Sequence, residues 1–164
     1  HTSLSPFITE LTGITDQMLA TAPSIEAILP SLFEFLGNPE DTVFVAHNAP
    51  FDLSFLKASS ELHGYLWPDF RVVDTVKMAR YVLTKDDVPN YQLGTLAYFF
   101  QTSVAPNHRA LDDARATVDV LHGVIERMGT FGISTINQLL SAGNTFSKKR
   151  SISKPVIETA QPNL

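Results

Sequence analysis

The sequence predicts an α/β fold in which helices flank a sheet. Two short runs, TVFVAHN and RVVDTV, are rich in β-branched and aromatic residues and bounded by turn signals, as buried strands are. Around them lie longer segments whose apolar residues recur at helical spacing. Strand and helix therefore alternate, the order that builds a sheet covered by helices. Two strands are too few for a complete sheet, so strands are expected to be missing at the N-terminal end.

Taken in order, residues 1–15 read as a loop closing in a turn, with Pro6 and Gly13 as breakers. A helix is expected from about Thr15. A second follows Ser24, which N-caps SIEAILPSLFEFL, and Gly37 stops it. Pro30 inside that run is expected to kink the helix or move its start. After the turn NPED comes the first strand. From Pro50 to about His63 the apolar residues Phe51, Phe55, Leu56 and Leu62 have helical spacing, and Gly64 ends the helix. The second strand leads into the helix VKMARYVL. Beyond TKDDVPN, the segment QLGTLAYFF reads as a short amphipathic helix. The loop QTSVAPNH then delivers the chain into a long helix over about 110–128. From Gly129 the pattern weakens: GISTINQLL is expected to form one more short helix. The polar stretch SAGNTFSKKRSISKPVIETAQPNL is expected to be linker or tail. The expected division is 1–128 as the domain and 129–164 as short helix and tail.

Composition narrows the function. A chain of 164 residues, 44% hydrophobic and 18% charged, is one ordinary globular domain. The absence of cysteine excludes a disulfide framework, a thiolate zinc site and a cysteine nucleophile. No apolar run reaches membrane-spanning length and no secretory leader is visible, so a cytoplasmic location is expected, with no membrane partner. The chain opens at His1 in loop-like sequence, which suggests a fragment. The net charge of −5 argues against a broadly basic nucleic-acid coat. It leaves room for an enzyme that holds nucleic acid through metal ions, whose site is itself rich in carboxylates.

Three segments carry chemistry. In AHNAPFD, Asp52 falls in the first helical turn after a buried strand, where α/β proteins build their sites; complementing the helix dipole is the alternative role. In NHRALDDARA, His108 precedes Asp112 and Asp113 at the start of the long helix. Neighbouring helical residues point about 100° apart, so one aspartate at most faces a given site. In VVDT, Asp74 ends a strand and serves either as a ligand or as the cap of the following helix. Carboxylates on separate elements, a histidine and no thiolate suit a hard dication such as Mg²⁺ or Mn²⁺. Two such ions activate water at a phosphodiester, and a histidine side chain suits the removal of that water's proton.

At these residues the sequence resembles the histidine branch of the DEDD-type 3′–5′ exonucleases, which includes the proofreading epsilon subunit of bacterial DNA polymerase III. Asn48, Phe51 and Asp52 match the family's N-x-x-F-D motif, and His108, Ala110 and Asp113 match H-x-A-x-x-D. PFITELTGITDQML resembles the loop and helix after the family's third strand. The resemblance covers residues 4–128. It implies a ribonuclease H-like three-layer fold, with a mixed sheet flanked by helices, and assigns 1–128 to the exonuclease domain without its N-terminal strands. It further implies that Asp113 is a direct metal ligand and that Asp52 acts on the metals through bound water. His108 would be the general base. Asn48, Phe51, Gly13 and Ile14 would hold the terminal nucleotide, although Phe51 and Ile14 suit packing equally. Asp74 and Thr75 match a strand-end pair of structural type, and Asp112 lies off the motif.

One motif is absent. The family's D-x-E-T pattern, which supplies two of its four acidic ligands, has no counterpart here: Glu10 and Asp16 are the acidic residues before Glu26, and neither lies in such a pattern. This chain by itself is therefore expected to bind metal weakly and to be nearly inactive, while the intact protein is expected to be an exonuclease using two Mg²⁺ or Mn²⁺ ions. The expected substrate is a DNA 3′ end, single-stranded, in proofreading or repair, with a polymerase or repair complex as partner. A non-catalytic docking domain of the same fold and a 3′ exoribonuclease are the alternatives. The tail, with SKKRS and PNL, resembles the connector to a fused GIY-YIG nuclease domain.

Overall fold

The computed structural model describes residues 3–151. In chain order its elements are α1 (Pro6–Thr12), α2 (Asp16–Thr21), α3 (Ile25–Leu36), β1 (Val43–Ala46) and α4 (Ala49–Leu62). Then follow β2 (Arg71–Asp74), α5 (Thr75–Val82), α6 (Leu93–Phe100), α7 (Ala110–Thr130) and α8 (Ile136–Ser151).

The alternation read from the sequence is present, with two corrections. The segment expected to be loop over 1–15 contains α1. Pro6 starts this helix instead of breaking structure: it occupies the first turn, where no backbone donor is missed, and the Ser5 hydroxyl accepts the N–H of Ile8 at 3.3 Å. Gly13, at φ 72°, closes α1 in the left-handed conformation. The second correction concerns the C-terminal part. The short helix expected after Gly129 runs to Ser151, through residues read as linker. Leu139 and Ala142 enter the main core, so packing continues beyond residue 128. The tail reading of residues 152–164 lies outside the described residues.

Elsewhere the local rules hold. Thr15 and Ser24 cap α2 and α3 by accepting the N–H groups of Met18 at 3.2 Å and Ala27 at 3.3 Å. Pro30 does not move the start of α3. The bond it cannot donate would have gone to Glu26, an exposed first-turn residue whose carbonyl water can serve.

β1 and β2 pair in parallel, Val43 opposite Arg71 and Ala46 opposite Asp74, and α4 supplies the crossover that parallel pairing requires. Helices α4 and α8 pack against these strands, and α7 packs on α5 and α6. The core runs from Val73 of β2 through Met78, Ala79 and Val82 to Leu96. It is completed by α7, whose buried Ala116, Val120, Val124 and Met128 recur every fourth residue on one face. A smaller aromatic cluster of Phe33, Tyr65, Trp67, Phe44 and Phe70 joins α3 to the sheet, with ring centroids 5.5–6.2 Å apart. Among the described residues the sheet is two-stranded, so one edge of β1 carries no partner strand. No helix of the described residues is long and apolar enough to cross a membrane.

Candidate active site beside the open edge of the sheet

The two strand ends are tied together by one carboxylate. Asp74, buried at the end of β2, accepts the N–H of Val76 at 3.0 Å and that of Asn48 at 3.1 Å through the same oxygen. The first bond caps α5, the role the sequence left open for Asp74. The second fixes the turn between β1 and α4, where Asn48 takes the left-handed conformation at φ 68°. That turn sets where the first turn of α4, and with it Asp52, begins.

His47 sits in the same turn, half-buried, with Nδ1 2.9 Å from Thr75 Oγ1. Burial pushes its pKa below the ordinary imidazole value. Asp74, a backbone hydrogen bond at Tyr91 and Asp52 oppose that shift without overcoming it.

The second motif is organised by Asp113. Its Oδ1 accepts the backbone N–H groups of Asn107 at 3.0 Å and His108 at 3.2 Å, so the carboxylate holds the loop that carries the histidine. His108 itself is exposed, with φ 63°. Asp112 points elsewhere: it accepts from Asn107 Nδ2 at 2.9 Å and lies 3.9 Å from Arg115. The pair thus divides as helical geometry requires, one aspartate to the site and one to the surface.

Asp52 and Asp113 line one cavity of about 630 Å³, together with Val45, Ala46, His47 and Thr117. This cavity lies between β1 and α7. The side chain of His108 is not part of its wall and reaches it only by way of the loop bonded to Asp113. Gly13 joins the neighbourhood from α1: a methyl group on it would fall 2.2 Å from Nη1 of Arg109, so the guanidinium beside His108 rests where a side chain would be. Ile14 is 39% exposed and Phe51 73% exposed, so Phe51 is not a core residue here. Asn48 lines a neighbouring polar cavity and not the acidic one. His47, which lines both, was not singled out in the sequence; its place directly after the strand run was the available signal.

As a cation site the arrangement is incomplete. Its donors are hard oxygens, the correct chemistry for Mg²⁺ or Mn²⁺. Among the described residues, however, no group of three or more His, Asp or Glu side chains converges to hold an ion. Asp16 is not available to help, because its carboxylate is bonded to Ser3 Oγ and, at 2.9 Å, to the N–H of Leu4, which lowers its pKa. The residues present do not fit a tightly held pair of ions.

Comparison with known proteins is consistent in direction. The sequence model of the RNase T family, described as exonuclease, matches residues 1–121. A protein of Mycobacterium tuberculosis named as a bifunctional exonuclease/endonuclease is 50% identical over 139 residues, covering 85% of this chain and 21% of that protein. A DNA polymerase III PolC-type of Caldanaerobacter subterraneus is 39% identical over 138 residues, 84% of this chain and 9% of the polymerase. That of Staphylococcus haemolyticus is 32% identical over 167 residues, 100% of this chain and 11% of the polymerase. The chain spans 21% or less of the length of these relatives.

Proposed function

Because the chain belongs to the RNase T exonuclease family, an α/β nuclease hydrolase of ribonuclease H-like fold, we propose that it is the 3′–5′ exonuclease part of a cytoplasmic protein acting on DNA in replication proofreading or repair. The observation that carries this reading is the meeting of Asp52 and Asp113, from opposite halves of the sequence, in one cavity beside β1.

Exonucleases of this family generally use divalent metals. Asp113 and Asp52 are two of the oxygen donors to Mg²⁺ or Mn²⁺, and further carboxylates are needed. Among the described residues the edge of β1 is unpaired and its residues line the cavity; it would accept a strand bearing them, because a two-stranded parallel sheet is short of the strands and cover such sheets normally have. The missing D-x-E motif would enter there in a longer form of the chain. His108 takes the proton of the attacking water, and Asp113 positions it through the 107–108 backbone. Gly13, Ile14 and Phe51 bound the space for the terminal nucleotide, and Asn48, which lines the neighbouring cavity, holds the strand next to it. The relatives' names support a polymerase context, or a fused endonuclease half that we take to be of GIY-YIG type.

The test is digestion of 3′-hydroxyl single-stranded DNA, with RNA of the same sequence in parallel, at fixed Mg²⁺ or Mn²⁺. This chain alone should be nearly inactive; a form that also carries the D-x-E strand should release nucleoside monophosphates from DNA, and Asp113→Ala should abolish this. Strong cleavage by the chain alone, lost in Asp113→Ala, would overturn the incomplete-site reading. Faster release from RNA would overturn the choice of DNA, and no release by the longer form would leave the docking-domain alternative.

A further inference from the structure

Across His47 and Leu93 from the acidic cavity lies a second cavity, of about 640 Å³ and opposite electrostatic character. Arg80 and Lys85 enter it, with the amides of Asn48, Asn90 and Gln92 and the ring of Tyr91, and no carboxylate lines it. Among the described residues the one ion pair is Arg115 with Asp112, so neither Arg80 nor Lys85 has a carboxylate partner. The acidic neighbours of Lys85 do not neutralise it: Asp87 is turned to Thr84, accepting its N–H at 2.7 Å and its hydroxyl at 2.8 Å, and Asp86 is exposed. The Arg80 guanidinium lies 5.4 Å from the centroid of the Tyr91 ring, and that ring is anchored by its hydroxyl donating to the carbonyl of Leu83 at 2.9 Å. An arginine held by stacking and without a carboxylate partner among the described residues keeps its planar set of donors available to an anion.

We infer that this cavity binds a phosphodiester of the substrate strand other than the one being cleaved. The inference rests on the exonuclease reading and adds to it where the strand runs: its terminus in the acidic cavity, its backbone past His47 to Arg80 and Lys85. Asp52 and Asp113 repel a polyanion, and the chain carries a net charge of −5. A local pair of cations one wall away supplies the attraction that the acidic cavity lacks, and the fork of Arg80 suits two phosphate oxygens. The three amides offer neutral donors to the same oxygens.

The experiment measures binding of a 5′-fluorescent deoxyoligonucleotide of six residues to the chain by anisotropy across a potassium chloride series, beside binding of thymidine monophosphate. Each phosphate contact removed should lower the slope of log affinity against log salt by about 0.7. Lys85→Gln and Arg80→Gln should each lose about one such step, while Arg80→Lys keeps most of it and mononucleotide affinity stays level in all three. If Arg80→Gln does not fold, as judged by its melting curve, Lys85→Gln carries the test, because that side chain is exposed and stacks on nothing. An unchanged slope in Lys85→Gln with a wild-type chain that binds the oligonucleotide would overturn the inference and leave the exonuclease reading intact. Failure of the wild-type chain to bind the oligonucleotide at low salt would also overturn the inference, while the exonuclease reading is decided separately by digestion with the longer form.

Discussion

Replacing Asp74 by alanine should cost more stability than any other single change near the site. Its carboxylate receives two backbone N–H groups, from Asn48 and Val76, at 3.1 and 3.0 Å. Hydrogen bonds to a charged partner are worth about 1.5–3 kcal/mol each, and of the donors left behind Val76 is half-buried and Asn48 exposed. Some of that loss returns because an N-terminal helix donor can find water, which gives about 3 kcal/mol for Asp74→Ala. Asp74→Asn keeps an acceptor oxygen in place and should cost about 1 kcal/mol. Against a total of about 5–15 kcal/mol, the alanine change is severe and should lower the melting temperature by about 6–12 °C. Urea unfolding at constant m-value measures both variants. Hydrogen exchange should quicken at Asn48 and Val76 in the alanine variant, since the turn that carries Asp52 has lost its anchor. A loss below about 0.5 kcal/mol for Asp74→Ala, or equal losses for the two variants, would refute the account of this carboxylate as the tie between the strand ends.

Two glycines on the helices should behave oppositely. Gly123→Ala in α7 would set a methyl group 2.3 Å from the Phe100 ring and should cost about 1–3 kcal/mol despite better helix propensity. Gly143→Ala in α8 meets only the mobile end of Met78, at 2.5 Å, and should be near neutral by the same melts. Gly13→Ala combines the left-handed backbone at φ 72° with the Arg109 contact and should destabilise by about 1–2 kcal/mol, with altered amide shifts at Arg109 and His108. Stability should also fall with acid in two stages. His47 has a lowered pKa when folded, so the unfolded chain takes up the proton first. Its contribution is present above the ordinary value of 6.5 and is lost as pH falls below it. Asp16, Asp87 and Asp119, also lowered by hydrogen bonds from Leu4, Thr84 and Ser103, lose theirs only below 3.8. His47→Gln should flatten the first stage in pH-dependent urea titrations and leave the second.

Much of the local structure was legible. The helix start near Thr15, the cap at Ser24, both strands and the long helix α7 follow from residue type and period. The misreadings share a cause. Reading Pro6 as a breaker overlooks the serine before it: Ser-Pro is a helix start, with the Ser5 hydroxyl as cap and Pro6 in the first turn. The linker reading from Ser141 onward rests on low apolar content, and the expected short helix instead continues through it as α8, with Ala142 joining Leu139 in the core and α8 packed on α5 and β2. Phe51 could not be assigned between core and surface from spacing, since a helix presents apolar residues to whatever lies opposite, and here that face is open.

By itself the sequence determined which groups are available: carboxylates after a strand and at a helix start, a histidine beside one of them, and no sulfur. Only the tertiary structure decided which of them meet. Parallel pairing of β1 with β2 and the seating of α7 bring Asp52 and Asp113 to one cavity, turn Asp112 away, recruit His47 and set Arg80 and Lys85 on its far side. Residue type and period act over a few positions, whereas proximity between distant positions follows from which faces are buried against one another, and that is a property of the whole core.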